Sequence, residues 1–356
     1  MTARARTTET DAVVIGAGPV GLFQVFQLGL QEIRAELVDA LPHPGGQCAE
    51  LYASKPIYDI PGLPLCTGQE LTDRLLQQIA PFQTPMHLSQ QIESLEREPD
   101  GRWRLTSSTG MTWRAPVVII AAGVGAFVPR KLALPELAVF ETGETPQVRY
   151  HHVDPSALAN QQVVVMGGEE AALETALSLA RNGRCARVTL LHRVDRFKAD
   201  APLLQALEQT VQAGQIRLVV GQPVGLQTDG TRLTALQLAT PDTSDGETVA
   251  WPVDVLLPRL GLSPKLGPVA EWGLAMERKQ IVVDTERFAT SEPGIFAVGD
   301  VNTYPGKRKL ILCGFHEATL AAFAAAAVVH PQRRQLLQYT TTSPRLHELL
   351  GVAPGR

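Results

Sequence analysis

Cysteine is scarce in this chain of 356 residues and what there is lies scattered. Cys48, Cys66, Cys185 and Cys313 form no C-x-x-C pair and no zinc-ligand spacing. That argues against a disulfide scaffold, against a metal site and against a relay of neighbouring thiols. Long apolar runs are missing too: the longest, Leu320 to Val329, has ten residues, against the roughly 20 that a membrane span requires. It reads as a packed helix. Neither charge dominates, with 32 Lys+Arg against 36 Asp+Glu for a net −4, so wholesale nucleic-acid binding is not expected. The opening MTARARTTET is polar and holds no apolar signal segment. It reads as a short disordered arm, and a cytoplasmic location with no membrane and no nucleic-acid partner is the expectation.

What the chain does have is length and apolar content, 356 residues at 44% hydrophobic, enough for two domains, each with its own core. The first organised stretch is a β-α-β unit. The strand Ala12–Ile15 runs into Gly16-Ala17-Gly18-Pro19-Val20-Gly21, a helix covers Val20 to Leu30, and a second strand ends in Asp39. In a G-x-G-x-x-G turn the first two glycines permit a tight turn and close backbone approach to a pyrophosphate. The third lets helix and strand pack, and the helix N-terminus offers N–H donors. Asp39 stands 18 residues after Gly21, where a carboxylate can accept both hydroxyls of an adenosine ribose. A bound dinucleotide is the reading.

Residues 81 to 115 look like short strands and turns, and Val117 to Gly123 is another buried strand that extends the first sheet. The Pro- and Gly-rich stretch from Pro129 to Pro155 fits a crossing into a new domain. A second β-α-β unit follows, from strand Val163–Met166 through a helix over 170–181 to strand Arg187–Leu191. Its turn reads Gly167-Gly168-Glu169-Glu170-Ala171-Ala172, so a glutamate stands where the G-x-G-x-x-A pattern has its second glycine. Short apolar runs near 219, 236 and 253–257 supply further strands, and Gly294 to Asp300 returns to the first domain. The fold class is therefore α/β: two Rossmann-like three-layer domains, the second inserted in the first. The expected boundaries are 1–125, 126–285 and 286–356.

Taken with both glycine turns, Gly299-Asp300 resembles the two-dinucleotide-binding flavoproteins. More narrowly, the chain resembles the thioredoxin-reductase-like (type 2) ferredoxin-NADP reductases in Pro44 to Tyr52, Lys55 to Gly62, Gly125-Ala126-Phe127, Leu266-Gly267-Pro268, Trp272-Gly273-Leu274 and Gly314 to Ala318. The resemblance implies FAD as the redox centre and electron transfer between NADPH or NADH and a ferredoxin or flavodoxin. It assigns Gly16, Gly18, Pro19, Gly21 and Asp39 to the ADP half of FAD, and Gln47, Tyr52 and Phe127 to the flavin region. Tyr52 stacks on one face of the ring, and Asp300 binds the ribityl chain. The tail, with Tyr339, Thr340 and Thr341, covers the other face in a partner subunit, which implies a homodimer. For the nicotinamide nucleotide it points to Gly167, Gly168, Glu169, Ala172, His192, Arg193 and Arg196. No catalytic acid or base is required, since hydride passes between stacked rings.

Two departures bear on that nucleotide site. Relatives of this kind read Gly-Gly-Gly-Asp-Ser-Ala at 167–172 and His-Arg-Arg at 192–194, so Glu169 replaces a glycine and Val194 an arginine. Either the Glu169 carboxylate opposes the pyrophosphate, or it turns outward from a shifted loop. An FAD protein that no longer uses NADP(H), acting as a redox sensor or with another donor or acceptor, is the alternative reading. Blander readings stand beside these: the tyrosines as packing aromatics, His151, His152 and His316 as non-ligands, with His316 capping or packing a helix that starts near Glu317. Lys307-Arg308-Lys309 is either solvated charge or a rim that steers an acidic electron carrier. Cys48 is read as a small packed side chain.

Overall fold

The computed structural model describes residues 7–51, 53–143, 145–150, 153–242, 247–265, 267–334 and 337–352, with the side chains of 126–129 and 262–265 left aside. The chain divides into two compact units, Met1–Ala126 with Pro264–Arg356, and Phe127–Ser263. The return to the first unit thus comes at 264, earlier than the expected 286. The reason lies in burial: Val269, Leu274, Ile281 and Val283 all sit in the first core, and Gln280–Val282 pairs with Asn302–Thr303. The stretch from 129 to 155, read as the crossing into the second domain, lies within the second unit. A 3-10 turn at Pro135–Phe140 carries Leu137 and Phe140 into that unit's core beside Val148.

The first unit is built on a five-stranded parallel sheet in the order Ile295–Ala297, Val117–Ile120, Ala12–Ile15, Ala35–Val38, Met86–His87. Its central strands are apolar throughout, the pattern of a sheet covered on both faces. Ala12, Val13 and Val14 are fully buried, as are Val117 through Ile120. A second sheet, Thr7–Glu9, Thr112–Ala115, Trp103–Ser107 and Ile92–Arg97, lies within the same unit. The helix Gly68–Ile79 starts at a capping box in which Thr67 Oγ1 accepts from Glu70 N–H and Glu70 Oε2 accepts from Thr67 N–H, so two end groups of the helix are satisfied reciprocally.

The long alanine-rich helix runs from Ile311 to Val329, longer than the ten-residue run suggested. By length and composition it could cross a membrane, but Gly314, Glu317, Ala318, Ala321, Ala322 and Ala325 face inward and are buried. Since the helix already begins at Ile311, His316 is inside it rather than at its start, with its ring edge-on to Phe288.

The second unit has a four-stranded parallel sheet in the order Arg217–Val220, Arg187–His192, Gln162–Met166, Val255–Pro258, and a three-stranded antiparallel sheet, Gln222–Thr228, Leu233–Ala239, Val249–Pro252. The helix Glu170–Asn182 ends at Gly183 in the left-handed conformation, φ 67°, where a side chain would be strained.

Each glycine turn is fixed by backbone contact. Gly16 has φ 111°, and a Cβ there would lie 2.4 Å from the Ala121 carbonyl oxygen; one on Gly21 would lie 1.8 Å from that of Gly16. Helix and strand can meet this closely only without side chains. Gly21→Ala should therefore push the helix Pro19–Leu30 off the sheet and destabilise the fold by about 1–3 kcal/mol, the usual size of an overpacking penalty. A melting temperature equal to that of the parent chain would show that the contact yields freely.

Candidate cofactor site

In the first unit the strands deliver several loops to one place. Gly18 is the N-cap of Pro19–Leu30, with extended backbone and Pro19 opening the helix. Gly45 N–H donates to the Ala17 carbonyl at 2.8 Å, and a Cβ on Gly46 would stand 2.9 Å from Gly18 Cα. The loop that leads into the helix Gly46–Leu51 is thus pressed against the glycine turn. Gln47, in that helix, lies over Gly123 at the end of the strand Val117–Ile120, its Nε2 3.2 Å from where a Cβ on Gly123 would stand. Gly299, φ 80°, and Gly314 both abut Val20, in the first turn of the helix, and so bring Asp300 to the same end. The result is a cradle that any Cβ would partly fill. A pyrophosphate needs such close approach to bare backbone, and a helix N-terminus to receive it.

Asp39 closes one side. Its Oδ2 accepts from Ala17 N–H at 2.5 Å and its Oδ1 from Leu41 N–H at 2.7 Å, so the carboxylate ties its own strand to the glycine turn. Burial pushes its carboxyl pKa up, against the lowering effect of those two backbone donors. Beside it His43 Nε2 lies 2.8 Å from Glu50 Oε2, and the Glu50 contact holds the His43 pKa above its usual value despite burial. Sequence reasoning missed this pair, since neither residue belongs to a nucleotide fingerprint. Asp300 is half-buried and its pKa is raised, first by burial and against Lys307 and Lys309.

Other expectations meet the structure less directly. Tyr52 lies outside the described residues, as do His151 and His152, and so does the Phe127 side chain. Tyr339, Thr340 and Thr341 are exposed, Tyr339 by 64%. The structure does not bring them to the glycine turn of their own chain. Instead Arg333 and Arg345 both bond to Glu32, each at 2.7 Å, which lies just past the opposite end of the helix Pro19–Leu30. Those two guanidiniums hold the Glu32 carboxyl down to about 2. The basic rim also changes: Lys307 is not free to steer a partner, because its side chain is 7% exposed and paired with Glu317. Arg308 and Lys309 remain exposed.

In the second unit, Gly167 and Gly168 end the strand Gln162–Met166. A Cβ on Gly167 would lie 2.2 Å from the Arg259 carbonyl oxygen and 2.9 Å from the buried Ala172 Cβ; one on Gly168 would strike the His192 ring at 2.3 Å. Both glycines are therefore required by packing. Glu169 is the N-cap of Glu170–Asn182 without a side-chain capping bond, and it is exposed. Its Oε2 reaches toward Gly261, 3.7 Å from where a Cβ on that residue would be. Of the two open readings, then, the carboxylate lies toward the crevice at the carboxyl ends of Gln162–Met166 and Val255–Pro258, not away from it. His192 is half-buried, with its pKa lowered by burial and by Arg193. Arg193 and Arg196 are exposed, and so is Lys198, whose N–H donates to the Gly168 carbonyl at 2.7 Å. Three cations thus stand on the loop beside the turn.

The profile of the family described as pyridine nucleotide-disulphide oxidoreductase matches residues 10–325. The chain belongs to that family. Among curated members, the ferredoxin–NADP reductase of Acidovorax sp. (strain JS42) is 56% identical over 97% of this chain and 96% of its own length. That of Albidiferax ferrireducens is 51% identical over 97% of this chain and 96% of its own. Among solved structures, the thioredoxin reductase of Lactococcus lactis superposes with a TM-score of 0.59 at 25% identity, covering 90% of this chain and 99% of its own. The T. acidophilum thioredoxin reductase, at 21% identity and TM-score 0.59, shares the fold over 90% of this chain and 98% of its own. The resemblance read from the sequence and the α/β two-domain fold class are thus both borne out.

Family membership brings disulfide chemistry into question, and two of the four cysteines are withdrawn from solvent. Cys48 and Cys66 are buried. Burial raises Cys48 to about 11 from its ordinary 9.0, with further contributions from Cys66 and Asp300. At pH 8 only about 0.1% of such a thiol is ionised, and the thiolate is the reactive form. The same shift means that its contribution to stability is full below pH 9 and is lost as pH rises toward 11. We expect a thiol-alkylating reagent at pH 8 to leave Cys48 unlabelled in the folded protein and to label it on unfolding, as read by peptide mass spectrometry. Rapid labelling in the native state would contradict the burial argument.

Proposed function

We propose that this chain is an FAD-dependent reductase that passes electrons between NADPH and a ferredoxin, a flavodoxin being the second acceptor of the same kind. The observation that carries the reading is the convergence of Gly16, Gly18, Gly21, Gly46, Asp39 and Asp300 on one cradle, in a chain more than half identical to ferredoxin–NADP reductases over nearly its whole length. Bound there, FAD supplies the ability to accept a hydride and to release electrons singly. The protein's part is to hold and orient. Gly16 N–H is taken by the Val38 carbonyl and Ala17 N–H by Asp39, so Gly18, Val20 and Gly21 present the N–H groups to the pyrophosphate, with Pro19 presetting the helix start. Asp39 faces the adenosine ribose, Gln47 the flavin edge and Asp300 the ribityl chain. We assign ring stacking to Tyr52, with Phe127 close by. The exposed turn at Tyr339, Thr340 and Thr341 is assigned to the flavin of a second copy, which makes the working unit a homodimer. A cytoplasmic location suits an acceptor of this kind.

For the nicotinamide nucleotide we assign Gly167, Gly168 and Ala172 to the turn, and His192, Arg193, Arg196 and Lys198 to the 2′-phosphate. Those cations favour NADPH over NADH, since an extra phosphate gains charge-assisted bonds. Glu169 works the other way. A carboxylate about 5 Å from a phosphate charge costs on the order of 1–3 kcal/mol at effective dielectrics between protein surface and water. The site is therefore weakened and not abolished. Glu169→Gly should lower the NADPH concentration that half-saturates flavin bleaching by about tenfold, measured by anaerobic stopped flow. An unchanged concentration dependence would remove Glu169 from the site. Absence of any bleaching by either nucleotide would select the alternative, an FAD protein with another donor.

The acceptor is expected near the Asp300 loop, where Arg308, Lys309, Leu310 and Leu312 are exposed. Reversing Arg308 and Lys309 to glutamate should reduce ferredoxin turnover several-fold at low salt and less at high salt, because such attraction is screened. Ferricyanide reduction should be spared. Equal loss with both acceptors would refute docking there.

A further inference from the structure

Glu317 is the most heavily engaged carboxylate of the first unit, and no fingerprint points to it. It is 0% exposed, in the helix Ile311–Val329 beside Ala318, Ala321 and Ala322. Its Oε2 accepts from Gly299 N–H at 2.6 Å and from Asn302 Nδ2 at 2.9 Å. Its Oε1 accepts from the Tyr304 hydroxyl at 2.9 Å and from Lys307 Nζ at 2.5 Å. Lys307 Nζ also donates to the Gly299 carbonyl at 2.8 Å, and Gln280 Nε2 donates to the carbonyls of Asp300 and Asn302 at 3.2 and 2.7 Å. The backbone is thus held on both sides of Asp300, and none of these bonds uses the Asp300 carboxylate.

A charge pair taken out of water is seldom a gain in stability over apolar residues of the same volume, because desolvation offsets the attraction. Its return here is geometric. Loop 299–307 is bound to the helix Ile311–Val329 by one carboxylate, while Gly299 and Gly314 meet Val20 at the start of the helix Pro19–Leu30. Three separate stretches of chain are thereby locked together at the start of the helix Pro19–Leu30.

We propose that Glu317 and Lys307 are positioning residues for the ribityl side of the flavin, holding Asp300 at a set distance from the glycine turn. This rests on the assignment of FAD to the cradle. The pair matters for the part of the cofactor beyond the pyrophosphate and leaves the ADP half alone.

The test uses apoprotein stripped of flavin, titrated calorimetrically with FAD and separately with ADP, which shares only the half held by Gly16–Gly21 and Asp39. In the double variant Glu317→Gln, Lys307→Met no unpaired charge is left buried, so the fold should persist. FAD should bind about 10–100-fold more weakly, the size expected when buried donors lose a charged acceptor, while ADP affinity stays within about twofold. Tyr304→Phe removes one donor and little else, and should cost FAD a few-fold with ADP unchanged. The proposal is overturned if both variants bind FAD as tightly as the parent, or if FAD and ADP affinities fall together. Failure of the parent apoprotein to take up FAD would instead sink the cofactor assignment itself.

Discussion

Everything at the cradle depends on backbone meeting backbone with no side chain between. Gly16 against Ala121, Gly21 against Gly16 and Gly46 against Gly18 each occupy a space that a single methyl would overfill. Such packing is unforgiving, because folded interiors are as dense as organic crystals and transmit displacement instead of absorbing it. It also leaves N–H groups uncovered at a helix start, the one place where an anionic cofactor gains from both hydrogen bonds and the helix dipole. The constraint that shapes the fold and the feature that receives a cofactor are therefore the same arrangement.

The two units answer that constraint differently. In the second, Gly167 and Gly168 are still demanded by the Arg259 carbonyl and the His192 ring, so the strand-to-helix turn keeps its shape. The next position carries Glu169, an N-cap with no side-chain capping bond whose carboxylate reaches toward Gly261. A glycine needed only for ligand approach is free to change while glycines needed for packing are not. Two turns of one architecture thus carry different tolerances, set by what packs against each position.

Much of this was legible in the sequence. The glycine turns, Asp39, and the run from Val117 to Gly123 are local signals, set by short-range sterics and by apolar continuity, and the structure puts them where the pattern implies. What escaped was long-range. Glu317 and Lys307 read as an ordinary helical glutamate and a member of a basic run, and only the folding back of loop 299–307 joins them. The segment 264–285 was attached to the wrong neighbour for a similar reason: its apolar residues are sparse, and nothing in their spacing says which of two cores they enter. Tail contacts at Glu32 were equally unreadable, being ion pairs across some three hundred positions of chain.

Those ion pairs change what kind of object the tail is. Arg333 and Arg345, on either side of Tyr339, are both fastened to one carboxylate, and bringing two such distant points together has an entropic cost that is met during folding. Tyr339 is exposed at the start of a turn in which Thr342 and Ser343 N–H donate to its carbonyl at 3.1 and 2.9 Å, between those two anchored points. A surface that received it would gain in encounter rate and in residence time, since little ordering would be left to do on contact.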